Sequence, residues 1–299
     1  MSHQIIEKSE SRSLKRLQRL SVQKRFKTNW PMTIVSAVIA FMFIIPGLWL
    51  FVGSIRPNNE ILTTMSTFGW DLIIPSRLTL ENYYHLFANL GFGTALWTSL
   101  FTSAVTVCVG LLFALLAAYA LGVLNFPGRG FLFSFVVISF MMPFEALAIP
   151  LSQLFTRWGL ANTYAGLILP GIANGLAIFS LRQYFMGIPK SFRESAMIDG
   201  ASEPRILFEI YLRLSAPALI NSALLIFVGS WTAYLWPLLI VSENNLQVAP
   251  VALARTFTEH GANYGQNFAG SIILSLIPAI AIFALQRHFG RLDWGSEEK

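Results

Sequence analysis

Residues 95–123 read ALWTSLFTSAVTVCVGLLFALLAAYALGV, a run without a single charged side chain. Wound as a helix at 1.5 Å rise per residue, a run of about 20 apolar residues crosses the hydrocarbon core of a bilayer. Five more blocks of the same kind follow the eye outward from it, at residues 34–55, 131–150, 165–185, 218–241 and 268–285, each ended by charged, Gly-rich or Pro-rich sequence. Only 12% of the chain is charged against 55% hydrophobic, which excludes an ordinary soluble domain, where about 25% is charged. Barrel strands are excluded as well, because they alternate apolar and polar over about ten residues. The expected fold class is an all-α polytopic membrane protein with six transmembrane helices.

Charge assigns an orientation to those spans. With the N-terminus inside, Lys and Arg number 17 on the inner side, and only Arg56, Arg77, Arg157 and Arg255 fall outside. That bias places both termini in the cytoplasm. The net charge of +6 thus reports topology and requires no nucleic acid. Residues 1–33 form a basic cytoplasmic segment, 34–290 the transmembrane domain and 291–299 a cytoplasmic tail. In the first segment Leu14, Leu17, Leu20 and Val22 interleave with eight Lys and Arg. That pattern suits either an amphipathic helix on anionic lipid or a basic tail that enforces topology.

A single cysteine, Cys108, lies inside the second span and reads as a small packing residue. The four histidines, His3, His85, His260 and His288, are too far apart for metal-ligand spacing. An outer segment, residues 56–93, is long enough to fold against the bundle, and its TLENYYHLF at 79–87 places Tyr and Phe at the membrane surface. The other large outer loop, 242–267, is polar.

The longest inner loop, residues 187–217, reads GIPKSFRESAMIDGASEPRILFEIYLRLSAP. Ser191 and Glu194 have capping-box spacing, which starts a helix over 192–199. Gly200 suits a left-handed C-terminal cap or a close backbone approach. Ser202 then caps a second helix with Glu203 and Pro204 in its first turn, and Ile206, Leu207, Ile210 and Leu214 form one apolar stripe. The product is a helix–turn–helix ridge, projecting from the membrane or lying flat on lipid.

This loop resembles the EAA loop of ABC importer permeases, whose pattern is Glu-Ala-Ala, three residues, Gly, nine residues, Ile, one residue, Leu-Pro. Glu194, Ala196, Gly200, Ile210 and Leu212 fall on that spacing; Ser195 replaces the first Ala and Arg213 the Pro. The run Asp199-Gly-Ala-Ser202 is similar to the carbohydrate-uptake branch, with its six-span maltose-type permeases. The AAYAL at 117–121, Met142-Pro143, Pro150, Ile188-Pro189 and the WTAYLWP at 231–237 extend the likeness along nearly the whole chain. The acidic tail departs from it.

The resemblance implies a type I importer permease that works with a second homologous permease subunit, a dimeric cytoplasmic ATPase and an extracytoplasmic solute-binding protein. Glu194, Ser195, Ala196, Asp199, Gly200, Ile210 and Leu212 would engage the ATPase. ATP and Mg would bind that partner, with no cofactor in this chain. The chain itself is expected to catalyse nothing, since none of its six lysines follows a glycine as a phosphate-cradling loop demands.

Ionisable and polar groups at membrane depth mark a solute path. Glu145 is the only acid within an apolar block; it can accept from a solute hydroxyl, pair with Arg182 or a partner, or reach the outer interface. Asn174, Asn221, Ser222, Ser230, Thr232 and Tyr234 offer neutral donors and acceptors, and also serve as glue between helices. Trp231 and Trp236 can stack on a sugar face or pack structurally. Pro46, Pro143, Pro170, Pro237 and Pro278 are expected to kink their helices. The expected cargo is a sugar or oligosaccharide, with glycerol phosphate or a glycerophosphodiester as the alternative. A secondary transporter or channel lacks its usual internal repeats here, and an intramembrane enzyme lacks a nucleophile with its base.

Overall fold

The computed structural model describes residues 30–64, 75–259 and 263–286. The basic N-terminal stretch up to residue 29, the tail after 286 and three of the four histidines lie outside them. Every regular element among the described residues is helical: α1 Trp30–Ser54, α2 Asn58–Thr64, α3 Glu81–Ala88, α4 Phe92–Gly122, α5 Arg129–Met141, α6 Phe144–Arg157, α7 Tyr164–Ile172, α8 Gly175–Gly187, α9 Lys190–Ile198, α10 Glu203–Leu214, α11 Ala216–Trp231, α12 Leu235–Ile240, α13 Ala249–Glu259 and α14 Tyr264–Leu285. Contacts divide the chain into residues 1–52 and 53–299. The first unit is most of α1, which runs through Pro46 without ending.

In the second unit the axis is α4, unbroken and surrounded by α7, α8 and α11. Small buried residues make these approaches possible: Ala114, Ala118 and Ala177 are all but fully covered. In lipid the drive to associate is close packing rather than exclusion of water, so small side chains at the contacts are what let backbones approach.

Three of the expected spans are broken. Residues 131–150 bend by 95° between α5 and α6. Pro143 has no amide hydrogen, and its ring forces Met142 into extended backbone at φ −72 and ψ 130. Residues 218–241 are likewise two helices, since α11 stops at Trp231 and α12 restarts at Leu235. Pro237 can neither donate to the carbonyl of Ala233 nor sit beside it, so it is accommodated in the first turn of a new helix. In the fourth span α7 ends at Ile172, and Asn174 caps α8 by accepting from the Ala177 amide at 2.9 Å. The other prolines, Pro46, Pro150, Pro170 and Pro278, stay inside their helices.

The outer segment does fold on the bundle. Asn82 Nδ2 donates to the carbonyls of Ser54 and Arg56 at 2.9 and 2.7 Å, and Tyr83 donates to the Ser54 hydroxyl at 2.8 Å. Leu86 joins Phe92, Ala249, Leu253 and Ala269 in a second core, while Tyr84 and Phe87 face outward. The stretch expected as a polar loop at 242–267 contains α13, whose Val251 is buried and whose first amide, Ala249, donates to Ser99 on α4 at 2.8 Å. Cys108 is not a packing residue: its thiol lies on the exposed face of α4.

Candidate functional site

Two places gather the residues the sequence singles out. The first is the ridge formed by α9 and α10, set at 85° to α11. Helix α9 begins two residues earlier than a capping box would start it, with Pro189 at its N-cap and no side-chain cap bond. Proline pre-sets the helical φ and has no amide to satisfy, so Ser191 falls within the first turn. The other end is as expected. Gly200 adopts φ +77, its amide donates to Met197 and the Ala201 amide to Ala196, at 3.1 and 2.9 Å. This pair of bonds is a Schellman turn, which any residue with a Cβ would strain. Ser202 stands at the N-cap of α10 with ψ 156, although its hydroxyl makes no cap bond.

In α10 a wide π-turn over Leu207–Tyr211 rotates the stripe. Ile206, Leu207 and Tyr211 are buried, Ile210 and Leu212 half-buried, and Leu214 gives up its expected central place to Tyr211. The EAA-like residues therefore separate into two sets. Ala196, Ile210 and Leu212 pack inward on the core around Tyr119 and Phe185. Glu194, Ser195, Asp199 and Gly200 are exposed. Beside them Phe192, Met197 and Ile198 are exposed too, Ile198 to 86%. An apolar patch ringed by polar groups marks a contact with a protein or with a membrane.

One feature of the ridge went unread in the sequence. Arg193 on α9 forks onto Glu203 of α10, and the other face of that carboxylate accepts from the Tyr119 hydroxyl of α4 at 2.5 Å. Arg193, with Tyr119 assisting, holds the Glu203 carboxyl below its ordinary range against the opposing effect of burial, and Glu203 raises Arg193 in turn. The side chains of Arg193 and Glu203 are 24% and 37% exposed, so screening limits the pair to the order of 1 kcal/mol. Nothing in the local pattern marks it, because Tyr119 stands 84 residues from Glu203.

The second place is a cavity of about 600 Å³ inside the bundle. Its wall includes Thr106 of α4, Phe144 and Glu145 of α6, Gly171 of α7, Asn174, Ser230 of α11, and the stretch from Thr232 to Trp236. All three helix breaks open onto it. Non-helical backbone at membrane depth is tolerated where it lines a cavity, and discontinuous helices build solute sites in transporters. Glu145, Asn174 and Tyr234 are brought together here. Glu145 is exposed to the cavity without an ion-pair partner among the described residues, and Arg182 is occupied elsewhere, by the Leu121 carbonyl at 2.9 Å and the Phe133 ring at 3.7 Å. Trp236 supplies an aromatic wall, fixed by its indole bond to the Gly166 carbonyl at 2.9 Å and by Phe144 and Phe155 against its ring. Trp231 does not join them: it is buried, and its indole donates to Leu274 of α14 at 3.0 Å. Asn221 also lies away from the cavity, on the exposed surface of α11.

Residues 110–292 match the family model described as the binding-protein-dependent transport system inner membrane component. The chain is 39% identical over 267 residues to the arabinooligosaccharides transport system permease protein AraQ of Halalkalibacterium halodurans, covering 87% of this chain and 93% of that one. It is 34% identical to the sn-glycerol-3-phosphate transport system permease protein UgpE of Pectobacterium atrosepticum, across 86% and 92% of the two chains. Among solved structures, a bacterial ABC transporter involved in the import of the acidic polysaccharide alginate superimposes with a TM-score of 0.74 at 23% identity, over 88% of this chain and 98% of that chain. The fold is that of a type I ABC importer permease. With membrane-crossing helices, a match over most of its length and no catalytic role of its own, the chain belongs to the family of binding-protein-dependent transport system inner membrane components.

Proposed function

We propose that this permease carries a sugar or oligosaccharide into the bacterial cytoplasm. It does so paired with a second homologous permease subunit and driven by an ATPase dimer that binds ATP and Mg and docks on the α9–α10 ridge. The observation that carries the docking is the pattern of exposure: Glu194, Ser195, Asp199 and the Gly200 turn face outward beside Phe192, Met197 and Ile198. Buried apolar contacts would supply the affinity and Glu194 the registration. In this reading the ridge and both termini are cytoplasmic.

The cavity supports the cargo class. Glu145, Asn174, Ser230, Thr232 and Tyr234 offer acceptors and donors for hydroxyls, Phe144 and Trp236 offer apolar ring surface, and no Lys or Arg stands among the lining residues. A phosphate-bearing solute would find no cation among the described residues that line this cavity. The relatives include permeases named for arabinooligosaccharides, lactose and trehalose. Because the relatives also include sn-glycerol-3-phosphate permeases, the deciding experiment sets both cargo types in one assay. The purified cognate binding protein is titrated with neutral oligosaccharides and with glycerol 3-phosphate, and uptake of each is measured in vesicles holding the full complex. Uptake of an oligosaccharide supports the reading, and uptake of glycerol 3-phosphate alone overturns it.

A further inference from the structure

The ridge and the cavity are both attached to α4. About 20 Å of helix separates Tyr119 from Thr106 at 1.5 Å per residue, and both attachments are stiff. At the ridge, Arg193 donates to both Glu203 oxygens and the Tyr119 hydroxyl donates to Oε2, so α9, α10 and α4 meet at one carboxylate. The Tyr119 ring is 4% exposed and stands edge-on to Tyr211 and Phe185, at 5.1 and 6.5 Å between centroids. At the cavity, α4 touches α7 without slack. A Cβ on Gly171 would lie 2.7 Å from the Thr106 methyl, and one on Gly110 would lie 3.2 Å from the Ile172 carbonyl.

A close-packed contact transmits displacement where a loose one would absorb it. The ridge is joined through the chain only to α8 and α11; its link to α4 is entirely through side chains. From this we infer that Tyr119, Glu203 and Arg193 form a strut that couples movement of the ridge to α4 and thereby to the cavity wall at Thr106. They are positioning residues, touching neither nucleotide nor solute. Without the hydroxyl and the ion pair, α10 can slide on the aromatic cluster while α4 stays in place. The inference rests on the ridge being the ATPase dock, and the experiment separates the two.

The test uses the complete importer in liposomes with its binding protein present. It compares wild type with Tyr119→Phe, Glu203→Gln, Arg193→Glu, Glu203→Arg and the exchanged pair Arg193→Glu/Glu203→Arg. Three quantities are read: ATPase subunit retained on the permease, ATP hydrolysed, and solute accumulated. The strut predicts retained ATPase with the ATP consumed per solute raised, by about tenfold in the single charge reversals and less in Tyr119→Phe. The exchanged pair should recover part of the loss. An unchanged ratio in Tyr119→Phe and Glu203→Gln overturns the strut. Loss of the ATPase from these variants also overturns it, since the three residues would then only fold the dock. Failure of wild type to retain an ATPase overturns the docking reading instead.

Discussion

The turn of the ridge draws its shape from bonds that stay within a few residues, the Gly200 and Ala201 amides reaching back to Met197 and Ala196, while the Tyr119 bond to Glu203 anchors the ridge from 84 residues away. The cavity is assembled from α4, α6, α7 and α11 and from the stretch that opens α12, and its wall runs from Thr106 to Trp236. A site of the first kind can be re-formed by one short segment. A site of the second kind depends on every helix being in register, so a defect at any of its seams is felt throughout it.

Breaking the ridge should have the largest effect. Gly200→Trp places a bulky side chain at φ +77, where a Cβ costs about 1–2 kcal/mol, on the surface that meets the ATPase. Uptake is expected to fall by about a hundredfold and the ATPase to be lost on purification in mild detergent. Normal uptake by this variant would contradict the docking. At the cavity, Gly171→Leu drives a side chain into Thr106. Overpacking of this kind costs about 1–3 kcal/mol, seen as a lower thermal midpoint in detergent, and the ATPase should still co-purify.

A smaller effect is expected from acid. The Glu203 carboxyl is held low by Arg193, so its contribution is complete above the ordinary carboxylate value and is lost as pH falls through the lowered one. Protection factors across α9 and α10, corrected for the slower intrinsic exchange in acid, should fall below about pH 4 relative to pH 7, with the acid dependence diminished in Glu203→Gln. Smallest of all is Ser191→Ala. Its hydroxyl caps nothing, and the change should stay within about 0.5 kcal/mol, whereas Thr163→Ala removes a real cap on Gly166 at 2.9 Å at about 1 kcal/mol.

The same distinction decides what was legible before the structure. Spans, the left-handed turn at Gly200 and the second ridge helix are encoded locally, in hydropathy, in one glycine and in Pro204. The capping box failed because Pro189 starts the helix first, a competition between two local signals. The breaks at Pro143 and ahead of Pro237 follow from proline chemistry, although only the bends were expected and not the separate helices. Glu145, Asn174 and Tyr234 were named one by one, yet their meeting in a single cavity depends on tertiary packing, as does the separation of Trp231 from Trp236. The link from Tyr119 to Glu203 belongs to the same class.

Helix α4 has 31 residues, about 46 Å at 1.5 Å per residue, against a hydrocarbon thickness of about 30 Å. It fits by tilting, by protruding, or by both. With the ridge on the cytoplasmic side, as proposed, the end carrying Tyr119 is the one that would reach the headgroups, where a phenol can remain hydrogen-bonded to a carboxylate. On that placement bilayer thickness becomes a mechanical variable for this permease. Thinner membranes increase the hydrophobic mismatch along α4, and longer acyl chains draw its polar end toward the hydrocarbon.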